Sequence, residues 1–249
     1  VEPMASRHPV TGRVVWEGQA ASRAQVKRAI AKAREASESW SVLEVSERIQ
    51  LARKYAEVVE SKADLLAKTI SEETGKPRWE ARQEADLVKA KVAVSIEAIE
   101  QRTSSRTLEL PGGVGRTLYR PLGVAAVLGP FNFPAHLPNG HIVPALLAGN
   151  TVVFKPSEKS PATGALLAAM WEEAGLPRGV LQVVQGGRDT GQSLVEGDVD
   201  AVFFTGSHAA GKAIHRALAA GPRCCWRWRW VGITRWLCMV SKTWTALRS

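Results

Sequence analysis

Cysteine is missing from most of this sequence. The three cysteines, Cys224, Cys225 and Cys238, all lie after residue 222, so the first 222 residues contain none. A segment without cysteine has no disulfides and no thiolate metal sites, and the absence fits a reducing compartment.

Long apolar runs are also missing. No segment approaches the ~18 consecutive apolar residues of a membrane span, and residues 1–13 lack the apolar stretch of a secretory signal. We therefore expect a cytoplasmic protein with no membrane partner. With 249 residues, 45% of them hydrophobic and 23% charged, the chain can bury a sizeable core, which excludes disordered and collagen-like classes.

Acidic residues are absent from the end of the chain. Residues 223–249 carry five arginines, one lysine and five of the nine tryptophans, whereas residues 1–222 carry 27 basic and 24 acidic side chains. The net charge of +9 is therefore concentrated in the tail, and the body is nearly neutral. A neutral body argues against nucleic acid as a partner. Composition thus divides the chain into two units, 1–222 and 223–249.

The first hundred residues predict helices. Ser22 and Gln25 have the spacing of a capping box, and Gly75 ahead of Pro77 is a typical helix end. A later helical stretch places on one face Leu87, Val88, Lys91, Val92, Ser95, Ile96 and Ile99. Residues 107–119 predict a hairpin, because two extended segments flank a Pro-Gly-Gly turn.

After Pro121, short apolar runs alternate with helical stretches. The predicted strands are 123–128, 151–154, 180–184 and 201–204, and the predicted helices are 162–174, 190–196 and 209–219. This alternation predicts an α/β fold with a parallel sheet. Ligands bind such sheets outside the carboxyl ends of the strands, which here carry the loops 129–134, 155–161 and 205–211.

Three of these loops contain candidate functional side chains. The segment from Gly206 through Ser207 to Gly211 begins a helix with small residues, so its backbone amides can approach a pyrophosphate. It does not match the G-x-G-x-x-G fingerprint. An ordinary helix cap is the alternative. Lys155 and Glu158 can both reach the hydroxyls of a ribose, and the carboxylate would repel a 2′-phosphate, which favours NAD over NADP. A surface ion pair on a loop is the alternative.

The remaining candidates surround the loop at 129–134. The side-chain amide of Asn132 can donate to a developing oxyanion, and a turn-stabilising asparagine is the alternative. His136 and His141 are too few for a metal site, so we predict that they are structural and that the protein holds no metal.

Taken together, several motifs resemble the aldehyde dehydrogenase superfamily. They are Pro121-Leu122-Gly123-Val124, Gly129-Pro130-Phe131-Asn132-Phe133-Pro134, Gly149-Asn150-Thr151-Val152-Val153-Phe154-Lys155-Pro156-Ser157-Glu158 and Phe204-Thr205-Gly206-Ser207. The resemblance covers residues 1–222 and includes Glu73-Thr74-Gly75-Lys76-Pro77. Residues 131–141 are most similar to N-succinylglutamate 5-semialdehyde dehydrogenases of bacterial arginine catabolism.

This resemblance implies a Rossmann-like cofactor domain with N-terminal helices, truncated before the catalytic domain. It implies that Asn132 stabilises the oxyanion, that Lys155 and Glu158 hold the adenosine ribose, and that the 206–211 loop contacts the pyrophosphate, with His208 at a variable position. In the family, which is homo-oligomeric, a cysteine thiolate attacks the aldehyde, hydride passes to NAD and a glutamate activates water. Another NAD-dependent aldehyde dehydrogenase is the alternative to the semialdehyde enzyme.

The family pattern stops near Arg223. There the family continues with a strand ending in Glu-Leu/Met-Gly-Gly, whose glutamate is the general base, but this chain reads Cys224-Cys225-Trp226-Arg227-Trp228-Arg229-Trp230-Val231-Gly232. Tryptophan has the single codon TGG. If the reading frame begins one base earlier, the residues from position 226 to position 230 must therefore alternate Leu, Met or Val with Ala or Glu. Suitable synonymous codons give Leu-Leu-Leu-Ala-Leu-Glu-Met-Gly-Gly, which is the family motif. We therefore hypothesise a frameshift near Arg223.

If the frame is shifted, the tail of residues 223–249 does not have the sequence of the parent enzyme. Its three cysteines are then not the catalytic thiol, and the chain is expected to lack turnover and the family's assembly. The alternative is a non-catalytic remnant whose cationic, aromatic tail adheres to membranes or single-stranded nucleic acid.

Overall fold

The structure, a computed structural model, describes residues 2–103, 106–219 and 225–230. Within these ranges no helix has both the length and the apolar character that crossing a membrane requires. Of the three cysteines, Cys224 and Cys238 lie outside the described residues.

The chain begins with a β-hairpin. Strands β1 (Pro3–Arg7) and β2 (Val14–Gln19) pair antiparallel. The prediction of helices throughout the first hundred residues was therefore wrong here. The turn carries Gly12 at φ 70°, a conformation that favours glycine, and the Gly12 amide donates to the His8 carbonyl at 2.9 Å.

Four helices follow the hairpin and confirm the remainder of that prediction. They are α1 (Arg23–Val42), α2 (Val45–Ser61), α3 (Ala63–Thr74) and α4 (Arg78–Arg102). Ser22 and Gln25 form the predicted capping box, and Gly75 ends α3 at φ 75°. On α4 most of the predicted face is buried or half-buried, and Leu87, one turn before Lys91 on that face, is 45% exposed.

A second hairpin, β3 (Arg106–Leu110) with β4 (Gly113–Thr117), confirms the predicted turn. Its apolar side chains Leu108, Leu110 and Val114 are exposed.

The predicted parallel sheet is confirmed. It contains β5 (Val124–Leu128), β6 (Thr151–Lys155), β7 (Leu181–Val183), β8 (Ala201–Gly206) and β9 (Cys225–Trp230), in the order β7-β6-β5-β8-β9. Helices α6 (Pro161–Glu173), α7 (Arg188–Val195) and α8 (His208–Ala219) agree with prediction within about two residues, the precision expected of helix ends.

The sequence analysis missed one helix, α5 (His136–Leu147). Its Pro138, Gly140 and Pro144 are residue types with low helix propensity. Burial explains why it is helical, because Ile142, Val143, Leu146 and Leu147 all pack in the core.

The chain order creates a crevice in the sheet. From β5 the chain proceeds to β6 and β7 on one side, and then returns to β8 and β9 on the other. The loops after β5 and β8 therefore lead away in opposite directions, which is where doubly wound sheets bind ligands. One apolar core includes residues of α2 to α6 and a second includes residues of α1 and α7, and strand β5 contributes to both.

A buried carboxylate joins three elements in front of this sheet. Glu73 of α3 accepts hydrogen bonds from the Ser6 hydroxyl at 2.7 Å and from the amides of Ala162 and Thr163 at 2.9 and 2.8 Å. A carboxylate at the start of a helix satisfies free amides and interacts well with the helix dipole. Glu73 thus attaches α6 to the N-terminal half.

Strand β9 belongs to the segment predicted as a separate tail. It pairs parallel with β8, with Ala201 opposite Cys225 and Gly206 opposite Trp230. The boundary at residue 223 stays a prediction.

Candidate active site

The three predicted loops lie along one edge of the sheet. Strands β5 and β6 end in register, with Leu128 opposite Lys155, and Leu128 also lies opposite Phe204 of β8. The candidate residues lie at these strand ends or on the loops that follow them, so they border one crevice, as expected for parallel strands.

Asn132 lies in the loop between β5 and α5 and is half-buried. Among the described residues, no hydrogen bond engages its side-chain amide. The loop begins tightly: the Gly129 amide donates to the Lys155 carbonyl at 3.0 Å, and a Cβ at Gly129 would lie 2.8 Å from the Pro138 ring. A side chain larger than hydrogen would displace this loop from the sheet.

Glu84, which the sequence did not single out, and Lys76, which was noted only as part of a motif, hold the other end of the loop. Glu84 of α4 is 1% exposed, and its carboxylate accepts from the backbone amides of Ala135 and His136 at 3.0 and 3.1 Å. Its second oxygen accepts from the Lys76 ammonium group at 2.8 Å, and that group also lies 3.7 Å from the centre of the Phe133 ring. The pair thus supports the loop that carries Asn132.

Lys155 ends β6 with its side chain buried. Its ammonium group donates to the carbonyls of Pro156 and Gly186 at 2.8 and 2.6 Å and lies 3.8 Å from the Glu158 carboxylate. Burial lowers the pKa of Lys155, and the charge of Glu158 partly opposes this effect. The structure therefore brings together the two residues predicted to hold a ribose, with the Glu158 side chain 55% exposed.

Two glycines that the sequence analysis did not identify shape the lysine site. Gly186 has φ 151°, and a Cβ there would lie 2.0 Å from the Thr190 hydroxyl oxygen. A Cβ at Gly191 would lie 3.3 Å from the Lys155 side chain. Close packing of the α7 start against Lys155 therefore depends on both residues lacking a side chain.

The glycine-rich segment forms a helix start. The Ser207 hydroxyl accepts from the Ala210 amide at 3.3 Å, and the Ser207 carbonyl accepts from the Gly211 amide at 3.0 Å. The ordinary cap is thus present, and anion binding by Gly206, Ser207 and Gly211 stays a prediction. A Cβ at Gly206 would lie 2.5 Å from the Phe204 ring, and His208 is exposed.

The two histidines take part in packing and backbone hydrogen bonds. The His141 ring stacks on Phe203, and its Nε2 lies 3.2 Å from the Thr205 hydroxyl oxygen. His136 donates its backbone amide to Glu84. Over residues 2–103, 106–219 and 225–230, no three His, Cys, Asp or Glu side chains are grouped as metal ligands.

Comparison with known proteins identifies the family of this chain. The model of the Aldehyde dehydrogenase family matches residues 2–225. The chain is 51% identical over 221 residues to N-succinylglutamate 5-semialdehyde dehydrogenase of Klebsiella pneumoniae, covering 88% of this chain and 45% of that protein. It is 48% identical over 219 residues to the enzyme of the same name from Burkholderia vietnamiensis, with the same coverage. The chain thus spans about half the length of the curated relatives it matches.

Solved structures share the fold as well. The NADP-dependent glyceraldehyde-3-phosphate dehydrogenase of Bacillus halodurans, complexed with NADP, is 30% identical with a TM-score of 0.82, over 87% of this chain and 47% of that one. The indole-3-acetaldehyde dehydrogenase of P. syringae, complexed with NAD+, is 32% identical with a TM-score of 0.86, over 91% and 47%. By motif, fold and similarity, this chain belongs to the aldehyde dehydrogenase family.

Proposed function

We propose that this chain is the cofactor-binding half of an NAD-dependent N-succinylglutamate 5-semialdehyde dehydrogenase. The parent reaction oxidises the semialdehyde to N-succinyl-L-glutamate. Identity of about half over 88% of the chain to enzymes of that name supports the substrate. A nicotinamide cofactor is supported by family membership and by solved relatives that hold NADP or NAD+.

The observation that carries this proposal is the arrangement of Lys155 and Glu158. A buried ammonium group beside a half-exposed carboxylate offers one donor and one acceptor at the carboxyl end of β6. Adjacent ribose hydroxyls require this combination, because each hydroxyl both donates and accepts. Bound NAD would supply the hydride acceptor, and these two residues would orient its adenosine end.

The charge of Glu158 supports NAD as the preferred cofactor. A 2′-phosphate would place at least one more negative charge next to a carboxylate that already has a cationic partner, Lys155, 3.8 Å away. Repulsion between these like charges would weaken NADP binding.

Asn132 is proposed as the oxyanion donor. Its amide is half-buried and makes no hydrogen bond within the described ranges, so both N–H groups are available to a ligand. Support from Glu84 and Lys76 would hold the loop in place before the substrate arrives, which is what makes an oxyanion donor effective.

We further propose that this chain does not catalyse turnover, because residues 223–249 are translated out of frame. The family match ends at residue 225, and the codon argument accounts for the Trp-Arg alternation. In the shifted frame the glutamate of the family motif falls at position 229, which is paired with Thr205 at the carboxyl end of the sheet. An arginine there has the opposite charge to a general base.

The proposed frameshift also changes the expected oligomeric state. Over the residues that the structure describes, the apolar side chains of the β3–β4 hairpin are exposed, and such side chains favour irregular association. We therefore propose that the chain does not form the family's regular homo-oligomer. Light scattering coupled to size-exclusion chromatography would show a monomer or irregular aggregates.

Cofactor binding tests the first proposal. NAD should raise the melting temperature of the full chain, since a ligand that binds only the folded state stabilises it. Lys155→Met should abolish the shift, and Lys159→Met, which changes an exposed neighbour, should preserve it. If the wild-type chain shows no NAD-dependent shift, the cofactor proposal is wrong.

Two measurements test the proposals that the chain is inactive and that residues 223–249 are out of frame. The purified chain should reduce no NAD when given the semialdehyde, and reading the gene across the Arg223 codon should reveal dehydrogenase coding in the neighbouring frame. Turnover well above a blank would contradict the inactive assignment. A neighbouring frame without the Glu-Met-Gly-Gly motif would contradict the frameshift.

A further inference from the structure

We infer that Lys91, beside the bare backbone of Gly140, recognises a carboxylate at the far end of an acidic aldehyde substrate. The inference rests on the proposed function and assigns a residue to the substrate's specificity. Lys91 lies outside the motifs that identify the family, and Gly140 lies within the 131–141 stretch without an assigned role.

Helices α4 and α5 run side by side in step, which connects Lys91 to the Asn132 loop. Glu84 contacts the start of α5 through the His136 amide, the Val88 carbonyl one turn later accepts from the Asn139 side chain at 3.0 Å, and a Cβ at Gly140 would lie 3.6 Å from Lys91 Cε. Each successive residue of α4 after Glu84 therefore lies further from the Asn132 loop.

This part of the helix pair is firmly held. The Asn139 side chain is 1% exposed and also accepts from the Tyr55 hydroxyl at 3.0 Å. Because each hydrogen bond is buried, the positions of Lys91 and Gly140 relative to the loop are set by the core rather than by surface side chains.

The charge of Lys91 has no counterion. Lys91 is half-buried, and over residues 2–103 and 106–219 no acidic side chain forms an ion pair with it. Lys89, two residues earlier, pairs with Glu60, and the nearby Glu84 carboxylate is already satisfied by Lys76 and two amides. A half-buried lysine that no acidic side chain of these ranges neutralises favours an anionic ligand.

Gly140 leaves this ammonium group accessible. A Cβ would make ordinary contact with the lysine stem, so any longer side chain at position 140 would cover it. His136 lies one turn before Gly140 on the same helix face, which extends a polar path from the Asn132 loop towards Lys91.

The spacing fits the proposed substrate. Glu84 and Lys91 are seven residues apart on α4, which corresponds to about 10 Å of helix. Eight bonds separate the aldehyde carbon from the succinyl carboxylate carbon, and an extended chain of this kind spans about 10 Å. An aldehyde bound at the end of the loop that Glu84 holds would therefore place its distal carboxylate near Lys91.

Two probes differing in the distal carboxylate test this inference on the full chain. We expect N-succinyl-L-glutamate to bind more tightly than N-acetyl-L-glutamate in ligand-observed NMR titrations with NAD present. Lys91→Gln should weaken N-succinyl-L-glutamate by about five- to tenfold, the effect expected for a charge-assisted hydrogen bond, and leave N-acetyl-L-glutamate unchanged. Lys91→Arg should retain the preference.

Controls separate this result from folding and from the cofactor proposal. Lys89→Gln alters a lysine of the same helix that faces Glu60, and it should bind both probes like wild type. Gly140→Val should weaken the binding of N-succinyl-L-glutamate, although it leaves the charge of Lys91 unchanged. Equal affinity for the two probes, or no binding of either while NAD still binds, would overturn the role of Lys91 and leave the proposed cofactor function intact.

Discussion

The ammonium group of Lys76 lies 2.8 Å from the carboxylate of Glu84, and both side chains are almost inaccessible to solvent. One residue precedes α4 and the other lies within it, yet together they contact both ends of the Phe133–His136 segment. This pair transmits the position of the N-terminal helices to the loop of the candidate active site.

Loss of the Glu84 carboxylate should strongly destabilise the fold. Glu84→Ala leaves a buried ammonium group and two helix amides without an acceptor, which should cost about 3–5 kcal/mol. The free energy of unfolding in urea measures this loss. Glu80→Ala removes the outer partner of Lys76, at 3.7 Å, and should cost less than about 1 kcal/mol. Equal losses for the two variants would contradict the assignment.

A second buried carboxylate, Glu73, gives a parallel prediction. Glu73→Ala removes the acceptor of two α6 amides and two hydroxyl groups, so it should cost about 2–4 kcal/mol in the free energy of unfolding. Within the described ranges, the adjacent Glu72 pairs only with the exposed Arg13. Glu72→Ala should therefore stay near wild type, and a loss as large as that of Glu73→Ala would show that the cap is unimportant.

Gly206 tests the packing of the glycine-rich segment. Gly206→Ala would place a methyl group against the Phe204 ring, and overpacking of this kind costs about 1–3 kcal/mol. We expect a lower melting temperature and a weaker NAD-dependent shift. At Gly187 a Cβ would meet no atom within 4 Å, so Gly187→Ala is the matched control. A wild-type NAD response in Gly206→Ala would argue against a cofactor contact there.

Glu158 should control the choice between NAD and NADP. Glu158→Gln removes the charge that repels a 2′-phosphate while keeping a hydrogen-bond acceptor. The ratio of the two dissociation constants, measured by calorimetry, should shift towards NADP by about fivefold, because interactions of half-exposed charges are worth about 1 kcal/mol. Glu173→Gln, at the end of the next helix, should leave the ratio unchanged. A shift in both variants would indicate a general charge effect.

Local sequence signals predicted the elements of this fold well where they act over a few residues. The Ser22–Gln25 capping box and the Gly75 helix end depend on adjacent backbone groups, so their geometry follows from residue type. The first hairpin and α5 were missed for the opposite reason. Strand pairing decides the conformation of 3–19, and burial keeps 136–147 helical despite Pro138 and Pro144.

The candidate site divides in the same way. Asn132, Lys155 and Glu158 are recognisable because they lie at or after the ends of apolar strands. The structure places Lys155 at the end of β6 and the other two on loops at the same sheet edge. Glu84 had no local signal, since a glutamate among many charged residues on a helix is ordinary, and Glu73 was recognised only as part of the Glu73–Pro77 motif, without a role. Their importance comes from helix amides 51 to 90 positions away in the chain.

The amino-acid order alone determined the family, the alternation of strands and helices, and the change of composition after residue 222, because each is a property of neighbouring residues. Tertiary structure decided which carboxylates are buried as helix caps, that the Lys155 ammonium group is desolvated beside Glu158, and that Lys91 lies against Gly140 with no acidic partner in the part of the chain that the structure describes. These features depend on solvent exclusion between distant segments, and exclusion of water exists only once the chain has folded.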